Sequence, residues 1–171
     1  MRYLLIFAVL LLAACNDEAR DVPPPLAMSE DALGHYCQMH ILEHTGPKGQ
    51  VHLAGYAMPI WFSQVRDGLA YIKLGERIAD VTAFYVNDMG KATDWGQPGD
   101  NNWLAAESAY YVVGSDAVGG MGAPELVPFG TQEDAVSFAR ERGGMVKRFA
   151  EIVQSDVLAP VEIGSLPAGA K

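Results

Sequence analysis

Phe62-Ser63-Gln64-Val65-Arg66-Asp67-Gly68-Leu69-Ala70-Tyr71 and Phe129-Gly130-Thr131-Gln132-Glu133-Asp134-Ala135-Val136-Ser137-Phe138 lie 67 positions apart and share one pattern. Each opens on Phe, carries Asp five residues on, a small residue directly after it, and an aromatic ring nine residues from the start. A proline precedes each copy and a predicted strand follows it. Two similar ββαβ units explain this spacing better than one continuous sheet, so the expected fold is α+β with two small ββαβ units in tandem.

Working outward, residues 36–42 predict a strand, 45–49 a turn, and 50–56 a second strand that closes a hairpin. Residues 59–74 have helical spacing, with Phe62, Val65, Leu69 and Ile72 on one side. Residues 81–86 are a β-branched and aromatic strand, and 96–102 are rich in turn formers. In the second half, a strand over 109–113, a glycine-rich loop over 119–124, a helix over 131–142 and a strand over 145–152 complete the pattern. The first unit is expected over 34–95 and the second over 96–159, with a disordered tail over 160–171.

The first segment reads as an address. Arg2 is followed by a twelve-residue apolar run over 3–14, too short to span a membrane but right for a secretion signal. It ends Leu12-Ala13-Ala14-Cys15, the pattern of a bacterial lipoprotein cleavage box. Residues 1–14 are therefore the expected signal peptide, and Cys15 the lipidated first residue. Residues 15–33, with Pro23-Pro24-Pro25, form a tether to the membrane. At about 0.8 kcal/mol per buried CH₂, several acyl chains anchor such a protein firmly. The expected location is the periplasmic side of a membrane, inner or outer left open.

Among the 171 residues, 12 are Lys or Arg and 21 are Asp or Glu, a net charge of -9 that argues against nucleic acid as a partner. Half the chain is hydrophobic, which argues against disorder throughout. There is no Gly-x-Ser-x-Gly, no phosphate-binding loop, no dinucleotide fingerprint and no His-Glu-x-x-His, so no enzyme class suggests itself.

With Cys15 acylated, Cys37 is the one remaining thiol of two cysteines. Read on a strand, Cys37 and Met39 share a face because side chains alternate. Soft sulfur donors of this kind select Cu(I). Met121, flanked by glycines, offers a thioether from the second unit, and Met89 is a further candidate at a strand end. A helical reading of the same stretch would instead align Cys37, His40 and His44 as a zinc set. The strand is preferred, since Gly34 and Gly46-Pro47 leave little room for a helix. His35 and His52 read as structural. Trp95 and Trp103 flank the turn-rich segment and are placed to pack the units together.

Cys37-Gln38-Met39, Glu43-His44-Thr45-Gly46-Pro47-Lys48-Gly49-Gln50, residues 61–67, Tyr85-Val86-Asn87-Asp88-Met89-Gly90-Lys91 and the run from Gly114-Ser115 to Glu125 resemble NosL, the accessory lipoproteins of nitrous oxide reductase. The resemblance extends from about Gly34 to Phe149. It implies a Cu(I) metallochaperone that supplies copper for the reductase's copper–sulfide centre, docking on the NosDFY membrane complex. It also implies a fold similar to part of the organomercurial lyase MerB. Cys37 and Met39 match its Cys-x-Met motif as ligands, Met121 matches its glycine-flanked Met, and His44 is the rival third ligand. A general copper or zinc buffer remains an alternative. A MerB-like lyase is less favoured, because carbon–metal cleavage wants a second thiol.

Overall fold

The computed structural model describes residues 22–161. The expected signal peptide, Cys15 and positions 162–171 of the expected tail lie outside the described residues.

In the first unit, β1 (Gly49–Leu53) is followed by β2 (Ile60–Phe62), α1 (Val65–Lys73) and β3 (Val81–Asn87). The second unit repeats this order with β5 (Tyr110–Val113), β6 (Val127–Phe129), α2 (Gln132–Arg142) and β7 (Met145–Arg148). Each unit places its first strand centrally, between the second strand and the strand after the helix, and all these pairings are antiparallel. The 67-residue offset relates β2 to β6 and the first residue of α1 to that of α2. An additional strand, β4 (Trp103–Ala105), pairs with β3 and extends the first sheet to four strands in the order β2-β1-β3-β4. It belongs to the first sheet, although the spacing of turn residues puts position 103 in the second unit. A short helix, α3 (Gln154–Val157), follows β7.

The expected helix over 59–74 begins as a short strand and turns helical only from Val65. Ile60-Trp61-Phe62 pairs with Gly49-Gln50-Val51, and the chain enters the helix only after Ser63 and Gln64. The β-branched and aromatic residues Ile60, Trp61 and Phe62 suit a strand, and the sheet edge offered by β1 decides between the two states.

Val65 and Leu69, one turn apart on α1, are fully buried against Val51, Phe62, Phe84 and Val86 of the sheet. The same cluster contains Tyr111, Val113 and Leu126 from the second unit, so the two units share a core. Gly68 faces this core: a Cβ there would stand 2.9 Å from Phe84 Cζ. The close approach outweighs the roughly 1 kcal/mol that glycine costs a helix interior. A second cluster of Val112, Val127, Phe129 and Ala135 lies under α2.

β1 is buried along its whole length because both faces are covered. Val51 and Leu53 face α1, while Gln50 receives the preceding chain: its side chain accepts from Leu26 N–H and donates to Leu26 C=O, each at 2.9 Å. Tyr85 Oη donates to Pro23 C=O, and Met28 and Ala32 pack with Ile41 and Trp61. Residues 22–33, expected as part of a tether, are thus seated on the first sheet. Trp95 joins the units, lying over Gly46 and stacking on Phe138, whereas Trp103 packs on Trp61 within the first sheet.

Candidate metal centre

The expected strand over 36–42 does not form. Gly34 N–H donates to Met39 C=O at 2.9 Å, Gln38 N–H donates to Gly34 C=O at 2.8 Å, and a single bridge pairs Leu33 with His40. Gln38 occupies the left-handed region at φ 56°, and its side-chain amide donates to His35 C=O. Side-chain bonds to nearby carbonyls compete with strand pairing, and here the tight reversal wins. Cys37 and Met39 therefore lie on a narrow turn, not on one face of a strand. A 3-10 turn over Ile41–Glu43 then carries the chain to His44.

This path brings Cys37 Sγ to 4.0 Å from His44 Nε2 and 3.2 Å from Ser63 Oγ. The thiol is half-buried, with no disulfide partner among the described residues. Gly34 makes the space for it: a Cβ there would lie 2.5 Å from Cys37 Sγ and 2.6 Å from Ser63 Oγ. The other imidazole nitrogen, His44 Nδ1, sits 3.1 Å from the Gly120 carbonyl of the second unit. A carbonyl can only accept, so Nδ1 carries the hydrogen, and the Nε2 lone pair of the neutral ring is left for a ligand beside the thiol. Ser63 Oγ–H is placed to donate to a thiolate.

Met39 lies two residues from Cys37 in the same turn, and Met121 directly follows the carbonyl that holds His44. Both methionines are 41% exposed. Gly120 packs so closely that a Cβ would stand 2.6 Å from His44 Cβ and 3.0 Å from Ser63 C=O. The glycine loop of the second unit thereby rests on the thiol-bearing unit. His44 also lines a cleft of about 350 Å³ together with Met28, Leu42, Lys48 and residues 96–100.

The zinc set Cys37, His40 and His44 is not assembled, because His40 Nδ1 is 2.6 Å from Glu30 C=O. Among the described residues, no three of His, Cys, Asp and Glu converge in a way that could hold a metal ion. Met89 packs against the second core cluster and donates its N–H to Pro128 C=O. His52 is buried on Gln50, and His35 lies edge-on to Phe62 and Tyr71.

Sequence reasoning missed the groups behind the donors. Lys48 is buried and donates to the Thr45 and Gly46 carbonyls, fixing the chain just after His44; burial pushes its ammonium down to about 8. Glu125 is buried and accepts from the N–H groups of Val65, Arg66 and Leu126; burial pushes its carboxyl up to about 8 against those bonds. One signal was available. Gln64 starts α1 where a capping Ser, Thr, Asp or Asn is usual, which calls for a cap from elsewhere.

Fold and site define a class: tandem ββαβ proteins that hold one half-buried thiol beside an imidazole at the seam of their two units. Within that class, the chain belongs to the NosL family, whose model matches residues 25–157. It is 50% identical over 169 residues to the copper-binding lipoprotein NosL of Achromobacter cycloclastes, covering 98% of this chain and 88% of the relative. To the copper-binding lipoprotein NosL of Stutzerimonas stutzeri it is 36% identical over 163 residues, covering 88% and 80%. The crystal structure of the copper chaperone NosL from Shewanella denitrificans matches with a TM-score of 0.72 at 32% identity, over 78% of this chain and 99% of that one. The solution structure of apo-NosL from Achromobacter cycloclastes matches with a TM-score of 0.51 at 52% identity, over 68% and 94%.

Proposed function

We propose that this chain is a lipid-anchored Cu(I) carrier on the periplasmic side of a bacterial membrane, held there through Cys15. Its cargo is bound by the Cys37 thiolate and Met39 from the first unit and Met121 from the second, with His44 Nε2 beside the thiol as a further donor. The observation that carries this reading is the 4.0 Å approach of Cys37 Sγ and His44 Nε2, with Met39 two residues from the thiol and Met121 next to the Gly120 carbonyl that meets His44. Thiolate and thioether donors favour Cu(I) over hard cations, and imidazole accommodates it. The curated relatives are named copper-binding lipoproteins, and the similar crystal structure is named a copper chaperone. Among the described residues, no helix is long and apolar enough to cross a membrane.

A carrier must bind tightly and still let go. Two exposed thioethers give an acceptor's sulfur a place to attack, so copper leaves by stepwise ligand exchange instead of by dissociation into solvent. The copper–sulfide centre of nitrous oxide reductase is the proposed destination, reached through the NosDFY complex.

Competition for Cu(I) against a chromophoric chelator, run beside Zn(II) on wild type and Cys37→Ala, tests the carrier. Stoichiometric Cu(I) binding that is lost in Cys37→Ala supports it, and unchanged affinity in that variant removes the site. Tighter binding of Zn(II) than Cu(I) would favour a general metal buffer. Delivery is tested by incubating the copper-loaded protein with membranes carrying NosDFY; no movement of copper would reject that step.

A further inference from the structure

The two units differ where their helices begin. In the second, Thr131 caps α2: its Oγ1 accepts the Asp134 N–H at 3.1 Å and donates to the Asp134 carboxyl group at 2.6 Å. The equivalent residue in the first unit, 67 positions earlier, is Gln64, whose side chain does not cap α1. The first N–H groups of α1, from Val65 and Arg66, are instead accepted by Glu125 of the other unit at 3.2 and 2.9 Å. That arrangement frees the Gln64 amide for a second task.

Gln64 is only 3% exposed, and each end of its amide is engaged. Nε2 donates to Asp67 Oδ1 at 2.9 Å, which turns Oε1 outward to accept the Met121 N–H at 3.2 Å. The loop is fitted to this contact, since a Cβ on Gly119 would stand 2.6 Å from both Gln64 Oε1 and Glu125 Oε2. We infer that Gln64 is a positioning residue for the metal centre: its amide, oriented by Asp67, pins the Met121 backbone and so holds the second unit's thioether donor beside the thiol and imidazole of the first. The inference rests on the proposed role of Met121 as a copper ligand. Helix capping by Glu125 and the shared core do not depend on the Gln64 amide, so its loss bears on the donor more than on the fold.

The test uses the full-length protein in detergent as wild type, Gln64→Leu, Met121→Leu and the double variant. Cu(I) affinity is read by chelator competition, the number of sulfur neighbours by X-ray absorption at copper, and the fold by thermal unfolding. Gln64→Leu is expected to weaken Cu(I) binding by roughly tenfold, the measure of one hydrogen bond. It should also lower the sulfur count by one, and cause no further loss once Met121 is Leu. Gly119→Ala should reproduce the effect from the loop side, so the test stands even where Gln64→Leu folds poorly. Wild-type affinity and sulfur count in both Gln64→Leu and Gly119→Ala would overturn the inference while leaving the copper site intact. An equal loss with and without Met121 would overturn it as well. If Met121→Leu itself changes neither readout, the ligand assignment fails, and the inference with it.

Discussion

Cys37 Sγ and His44 Nε2 face each other across 4.0 Å although they lie seven positions apart in the chain. An ion about 2.3 Å from sulfur and about 2.0 Å from nitrogen, at trigonal to tetrahedral angles, needs the two donors about 3.5–3.7 Å apart. The pair is therefore within a few tenths of an ångström of a bridging geometry, and small side-chain motion closes the gap. What holds it there is the tight turn from Gly34 to Met39 on one side and the Gly120 carbonyl on the other.

His44 should bind through Nε2 only while Nδ1 keeps its partner. His44→Ala is expected to weaken Cu(I) binding by about 10–100-fold, the range seen when the groups that orient or supply a metal ligand are removed. Gly120→Ala should act in the same direction, because its Cβ would meet His44 Cβ, Thr45 C=O and Ser63 C=O within 3.0 Å. Chelator competition measures both. Wild-type affinity in His44→Ala would take the imidazole out of the centre.

Gly34→Ala should separate copper binding from folding. The added methyl would come 2.5 Å from Cys37 Sγ and 2.6 Å from Ser63 Oγ, displacing the thiol from its place beside His44. The expected outcome is a native circular-dichroism spectrum with Cu(I) affinity lowered by at least tenfold. Full affinity would mean that the thiol does not need its present seat.

Gly68→Ala tests the packing beneath the site. In an ordinary helix this change stabilises by about 1 kcal/mol. Here the Cβ would press on Phe84 at 2.9 and 3.0 Å, in a core that has no room to yield. Overpacking should win, with a net loss of about 1–3 kcal/mol in denaturant unfolding and unchanged Cu(I) affinity. A more stable variant would show that the Phe84 ring moves aside freely.

The tandem units were legible because Phe62 and Phe129, Asp67 and Asp134, and Gly68 and Ala135 recur at one offset, and helical periodicity survives in a single sequence. The short strands β2, β4 and β6 were not, since three residues carry too little periodicity to separate strand from helix or loop. Cys37 and Met39 were singled out by their chemistry, but on the wrong backbone: alternation over 36–42 resembles a strand, and only the left-handed Gln38 and the Gly34–Met39 closure reveal a turn. Glu125 and Lys48 stayed hidden because burial of a charged residue is a long-range property. Nothing within a few residues of either announces it.

Glu125 sets a pH dependence whose sign follows from its burial. Its carboxyl group holds a proton up to about pH 8 in the folded chain but only to about 4.5 when exposed. Between those values, the native state binds more protons than the unfolded state, so stability falls as pH rises, by at most about 1.4 kcal/mol per pH unit. Lys48 acts in the next window: its ammonium is lowered from 10.5 to about 8, the unfolded chain binds more protons between them, and stability recovers as pH rises above 8. Glu125→Gln is neutral at every pH and removes the first limb; because the Glu125 charge raises the Lys48 ammonium, its loss moves the second limb to lower pH. Urea unfolding of the copper-free protein from pH 5 to 10 should show wild type losing stability toward pH 8 and the variant showing no such loss. Parallel curves for the two proteins would mean that the three N–H groups donated by Val65, Arg66 and Leu126 keep Glu125 ionised throughout, with the carboxylate serving as a permanent negative charge at the start of α1.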